Sequence, residues 1–257
     1  MTPDSRLSTS LRLGKYSPVA IILTDHKPDK VLQFKKGRWG CVAAMIVAAA
    51  KGRTALFDRE TYGCAGGGIG LGFGDPYRDY PIEELLSTGD GGAHRSWTRG
   101  SHLAEGERYF KTPEIARKFV EALPIREVPA KYVVFKPVAQ LAEGENPSLV
   151  IFLANADQLS ALLVLSNYHR AIKEGAIAPF GAGCHSILYG FAEAERDCPR
   201  AVIGFTDITV RKLVERDILS LTVPWGLYLE MEKNVEGSFI EKDQWLTVAD
   251  RGLTTVS

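Results

Sequence analysis

The sequence predicts an α/β (or α+β) fold, read as a single duplicated domain of two pseudo-symmetric strand-helix-strand halves around a mixed sheet. Three observations lead there. Short β-branched runs alternate with alanine-rich or leucine-rich stretches of helical length, the order of β-α-β units. Residues 52–57 and 62–64, ending on Gly63 and Cys64, share a pattern with residues 175–180 and 182–184, ending on Gly183 and Cys184. Each copy follows a helical stretch and precedes an apolar run that closes on glycine and phenylalanine, Gly72 and Phe73 in the first, Gly190 and Phe191 in the second.

The elements follow in order. Residues 1–17 are polar and read as an N-terminal tail. Residues 18–24 form a buried strand, a β-branched run stopped by Asp25. Residues 25–37 are loop-like, and residues 40–51 an alanine-rich helix closed by Gly52, where a left-handed glycine is expected. Residues 54–57 are a short strand. Residues 81–86 start with proline and carry acids in the first turn, as helices do. Residues 89–108 read as a long polar loop. Thr112 caps a helix to residue 123, with Pro113 at its first position. Strands are expected at 132–135 and 149–153, then a helix capped by Asn155 or Asp157 reaching about residue 173. Further strands are expected at 176–180 and 201–205, helices at 209–219 and 224–233, and a C-terminal tail over 236–257. The two halves fall at about 18–125 and 130–235 within a duplicated domain spanning 18–235.

Composition excludes several classes. Lys plus Arg equals Asp plus Glu at 31 each, so no basic excess points to nucleic acid. The longest apolar run, residues 42–50, is far shorter than the ~20 residues a membrane span needs. Residues 1–17 lack the apolar centre of a signal peptide. A soluble, cytoplasmic protein with no membrane partner is expected. In that compartment its four cysteines are thiols or metal ligands rather than disulfides. Oligomeric state is not indicated.

Candidate chemistry centres on thiols and a glycine run. Residues 64–74 hold six glycines in eleven positions. Glycine exposes backbone N–H groups and reaches positive φ freely, as an anion cradle requires. A glycine-rich turn or close helix packing produces the same composition. The dinucleotide and Walker patterns both fail here. Cys64 and Cys184 each follow glycine and precede a possible helix start, where the helix dipole would lower a thiol pKa. Cys41 opens the alanine-rich helix, and Cys198 stands before Pro199 in a charged loop. Their spacings are not those of a zinc knuckle, but four thiols converging in space would hold an iron–sulfur cluster. His185 adjoins Cys184, and strand neighbours point to opposite faces, so adjacency makes no dyad. His94 and His102 share the polar loop with Arg95, Arg99 and Arg108, an anion site or a solvated face. His169 is read as facing water.

Four stretches resemble the domain of unknown function 169 family, an uncharacterised archaeal cysteine-rich type. They are residues 39–67, with Trp39, Cys41, Phe57, Asp58 and Cys64; residues 132–137; residues 150–162; and residues 183–224, with Gly183, Cys184, Asp207, Arg211, Thr222 and Pro224. The resemblance covers roughly residues 17–235. It implies no activity, and its cysteine habit directs attention to Cys41, Cys64 and Cys184. Where a Gly-Asp step is usual in the fourth stretch, this chain has Thr206 and Asp207.

Two functional readings follow, and neither decides whether the protein is an enzyme. In the first, Cys41, Cys64, Cys184 and Cys198 hold a metal or an iron–sulfur cluster. In the second, Gly66, Gly67, Gly68 and Gly70 with Arg95 and Arg211 hold a small anionic ligand. A third, purely structural reading leaves the cysteines in the core.

Overall fold

All six runs expected to be strands enter one mixed sheet, joined by a seventh that sequence reasoning missed. The computed structural model describes residues 5–89 and 106–251. In chain order the elements begin with α1 (Arg6–Ser10), β1 (Val19–Thr24), α2 (Val42–Ala50), β2 (Ala55–Phe57) and α3 (Ala65–Gly70). They continue with α4 (Ile82–Leu86), α5 (Pro113–Glu121), β3 (Tyr132–Pro137), β4 (Leu149–Ala154) and α6 (Ala156–Asn167). The remainder are β5 (Ala176–Ile177), α7 (His185–Ala194), β6 (Ala201–Gly204), β7 (Leu219–Pro224), α8 (Trp225–Lys233) and α9 (Asp243–Asp250).

The strand order is β2-β3-β1-β4-β7-β6-β5. Every neighbouring pair is antiparallel except the short parallel pair of β5 and β6. Strands β1 and β4 meet at the middle, with Ala20 opposite Val150. Both are buried almost end to end, so alternate side chains feed two cores. Val19, Ile21, Phe57, Phe135, Leu149 and Ile151 face the first, which α2 and α7 cover. Ala20, Ile22, Leu56, Val134, Val150 and Phe152 face the second, under α1, α6, α8 and α9. A third cluster lies outside the first, where α3 and α7 meet α4 and α5.

Several helix ends obey local chemistry. Thr112 caps α5, accepting from the Ile115 N–H, with Pro113 at the first position. Asn155 and Gln158 form a reciprocal capping box at the start of α6. Gly52 lies at φ +94° just past α2, a backbone conformation other residues adopt at a cost.

Other expectations are corrected. The helix from Asn155 stops at Asn167, short of residue 173, because the Arg170 guanidinium takes the Ser166 carbonyl and turns the chain toward Pro199. The strand expected at 176–180 is only Ala176–Ile177. Residues 209–219 are not one helix but a 3-10 turn, Ile208–Leu213, followed by β7. The carbonyls of Phe205 and of Glu215, Arg216 and Ile218, beside the turn, bind the Arg211 guanidinium. β7 alternates Ser220 and Thr222 on one face with Leu221 and Val223 on the other, and lies between β4 and β6.

The described parts of the segments read as tails, residues 5–17 and 236–251, are folded. Leu7, Leu11 and Leu13 are buried in the second core, as is Trp245 of α9. Helix α2 packs on the first face and α6 on the second. A dyad relating antiparallel β1 and β4 would keep both helices on one face, so it does not superpose these two.

Candidate functional site

Three cysteines occupy helix starts. Cys41 is the N-cap of α2, Cys64 of α3 and Cys184 of α7. The glycine run explains how two of these starts meet. Residues 65–70 are a helix, not a loop, and its glycines press against neighbours. A Cβ on Gly70 would lie 2.7 Å from the Cys184 carbonyl oxygen, and one on Gly67 would lie 2.7 Å from the Tyr62 carbonyl oxygen. Only a bare backbone lets α3 approach α7 this closely.

Both sulfurs therefore reach the same peptide link. The Gly67 N–H donates to Cys64 Sγ at 3.3 Å, and the Cys184 thiol donates to the Gly66 carbonyl at 3.1 Å. Given the size of a peptide unit, the two sulfurs lie within about 9 Å of each other. Cys41 is near enough that its charge would act on both. Cys184 is buried, while Cys41 and Cys64 keep partial exposure. Cys198 does not join them. It follows the far end of α7, exposed, with the Arg170 guanidinium 3.8 Å from its sulfur.

The thiol pKa expectation is reversed. Burial pushes Cys64 up to about 11, and the first-turn N–H groups of Gly67 and Gly66 offset this only in part. Burial also pushes Cys184 well above the usual thiol value, reinforced by Cys64, Cys41 and Asp207. Desolvation outweighs the helix start, so both are neutral thiols at pH 7.

Around the thiols stand polar groups that sequence reasoning passed over. His185 lies on a helix rather than a strand, buried, and its Nε2 is 3.4 Å from the Tyr77 hydroxyl. Its Nδ1 is buried and finds no partner among the described residues. Burial drives His185 down to about 4, so the ring is neutral. Asp207 holds the loop before Cys184 in place. Its Oδ2 accepts the Gly183 N–H at 3.1 Å, and its Oδ1 accepts the Tyr109 hydroxyl at 3.0 Å and both the N–H and hydroxyl of Thr209 at 2.9 Å. The cap-like pattern of Asp207 two residues before Thr209 was the available signal. Glu107, pushed up to about 7 by burial and then by Asp207, completes the group. Two carboxyls act across the group, Asp207 on Cys184, Tyr77, Tyr109 and Glu107, and Glu107 on Cys64, Tyr77 and Tyr109.

The remaining candidates lie elsewhere. Gly66, Gly67, Gly68 and Gly70 belong to α3, and a Cβ on any of them would stand within about 3 Å of a neighbouring side chain or carbonyl. The Arg211 guanidinium is committed to backbone carbonyls. Arg95, Arg99, His94 and His102 lie outside the described residues. His169 is exposed and pairs with Glu230 at 3.0 Å. Among the described residues no three His, Cys, Asp or Glu side chains are disposed to hold a metal ion as they stand. Among them, too, no helix is long and apolar enough to cross a membrane.

Fold and site together define a mixed α/β protein with thiols and acids gathered where three helices begin. The family model for domain of unknown function 169 (DUF169), described as uncharacterised ArCR, matches residues 6–234. The chain belongs to that family. No curated protein and no solved structure matches it.

Proposed function

We propose that this protein binds a thiophilic metal ion or an iron–sulfur centre, with Cys41, Cys64 and Cys184 as its protein ligands. The observation carrying the proposal is that the sulfurs of Cys64 and Cys184, each opening a different helix, reach the same peptide link, with Cys41 at a third helix start near enough to act on both. Burial, reinforced by neighbouring acids, keeps Cys64 and Cys184 protonated. A cation relieves both effects by replacing the thiol protons, so it is favoured where an anion is opposed. Binding requires Cys184 to exchange its hydrogen bond to the Gly66 carbonyl for a bond to metal, a side-chain rotation. Of the duplication read in the sequence, the part that supports this function is local: Gly63 before Cys64 and Gly183 before Cys184, each pair opening a helix.

The anionic reading has less behind it. The glycine run is helical and packed, and Arg211 is occupied. The test is metal analysis with an absorption spectrum on protein purified without oxygen. Near-stoichiometric iron or zinc, largely lost in Cys64→Ser and in Cys184→Ser, is expected. Wild-type protein that is metal-free as purified and takes up neither iron with sulfide nor zinc would refute it.

A further inference from the structure

We infer that the turn over residues 35–39 docks an acidic segment of a partner protein, with Trp39 as apolar anchor and Lys35 and Arg38 as charged contacts. Lys35, Lys36, Arg38 and Trp39 stand within five residues of chain, and all four are exposed. Trp39 is 64% exposed, and its indole makes no hydrogen bond or ring contact among the described residues. An indole left in water forgoes one of the largest burials a side chain offers. Lys36 is paired with Glu60, whereas Lys35 and Arg38 have no ion pair among the described residues.

The turn is held in shape. The Arg38 N–H donates to the Lys35 carbonyl at 3.0 Å, and Gly37 takes φ +66°, the conformation a type II turn requires at its third position. Below it the Phe34 ring lies 5.9 Å from that of Phe57. A Cβ on Gly40 would stand 2.3 Å from the Phe34 ring, and one on Gly63 would stand 2.5 Å from the Gly40 carbonyl oxygen. Bare backbone at Gly40 and Gly63 thus lets both ends of the turn close over Phe34. A surface fixed before binding loses little freedom on binding, which favours a partner of definite shape.

Two unpaired cations beside an indole recognise an anionic surface, and magnitudes choose which. Nucleic-acid binding rests on about 6–10 phosphate contacts or on several stacked aromatics, more than this turn offers. One indole buries less apolar surface than the single acyl chain that gives only marginal membrane attachment. A protein interface needs less, because a few anchors carry it, and tryptophan and arginine are the commonest of these. Arg38 supplies the planar fork that matches a carboxylate. The turn ends two residues before Cys41, so the bound segment lies on the flank of the thiol group. The inference is independent of the metal reading.

Random peptides displayed on phage are the probe, panned on the full chain after depletion on the Arg38→Glu, Trp39→Ala double variant. The recovered peptides should be rich in aspartate and glutamate around an apolar residue. A synthetic representative should bind the wild type more weakly as salt rises, and lose roughly tenfold or more in affinity to each of Trp39→Ala, Arg38→Glu and Lys35→Glu. These positions are exposed, so thermal unfolding of the variants should match the wild type. No recovery, peptides without acidic excess, or equal affinity for Trp39→Ala would overturn the inference. Binding of phosphatidylglycerol vesicles or of oligothymidylate that is lost in Trp39→Ala would assign the turn to a membrane or a nucleic acid instead, and overturn it as well.

Discussion

Glu107 is the carboxyl in the pocket whose environment is least comfortable. Its ordinary value of 4.5 rises to about 7, first through burial and second through Asp207. The folded protein therefore keeps a proton between pH 4.5 and 7 that the unfolded chain releases, and stability falls as pH rises through that window. Because Glu107 retains some exposure, the effect is roughly 1–3 kcal/mol rather than the full shift. His185 has the opposite sign. Lowered from 6.5 to about 4, it makes the fold less stable as pH falls across that range. The two trends oppose each other between about pH 4.5 and 6.5 and mask each other in the wild type. Glu107→Gln should be more stable than wild type at pH 8 by about that 1–3 kcal/mol and should lose stability more steeply on acidification. Urea unfolding at a series of pH values measures this, and parallel profiles for the two proteins would show that Glu107 titrates normally.

Helix α3 is improbable on propensity, since four of its six residues are glycine and each costs about 1 kcal/mol relative to alanine. It exists because packing rewards what propensity does not. Gly70→Ala would drive a methyl to 2.7 Å from the Cys184 carbonyl, a backbone atom that cannot step aside. We expect it to destabilise the fold by about 1–3 kcal/mol and to disturb the thiol site. Gly226→Ala, in α8 with nothing within 4 Å of the added methyl, should be neutral or stabilising by up to ~1 kcal/mol. Equal costs in thermal unfolding would refute the packing account. The contrast explains what could be read from local pattern. Caps, such as Thr112 and Asn155, and β-branched runs, such as β1 and β4, announce themselves, because their causes lie within a few residues. Helix α3 and strand β7 do not. One is held by Cys184, Tyr62 and Pro76, and the other by pairing with β4 and β6 on either side.

Taken together, the two cores bind the chain's ends to its middle. Trp245 of α9 is 5% exposed and donates its indole N–H to the Ser10 carbonyl at 2.9 Å, fastening one end to the other against the second core. Trp245→Ala should cost about 3–5 kcal/mol. Arg12 and Asp250 link the same two segments as an exposed ion pair, and Arg12→Ala should cost under about 1 kcal/mol. Chemical denaturation of the two variants compares them directly, and a smaller loss for the tryptophan would mean that α9 is dispensable to the fold. Residues 1–17 and 236–257 read as tails because their apolar residues are few and scattered. Leu7, Leu11 and Trp245 are core residues only in the company of the sheet.

Composition, caps and period were enough for the class of fold and six of its seven strands, and the resemblance of four sequence stretches for the family and the attention to Cys41, Cys64 and Cys184. Those features depend on neighbours along the chain, and neighbours along the chain are what a sequence displays. Which face each helix would cover, that Cys198 would be left beyond α7, and that the glycine run would be a packed helix were settled only in three dimensions. So was the protonation of the thiols. A helix start favours thiolate, burial opposes it, and the winner is set by how much water the assembled fold excludes.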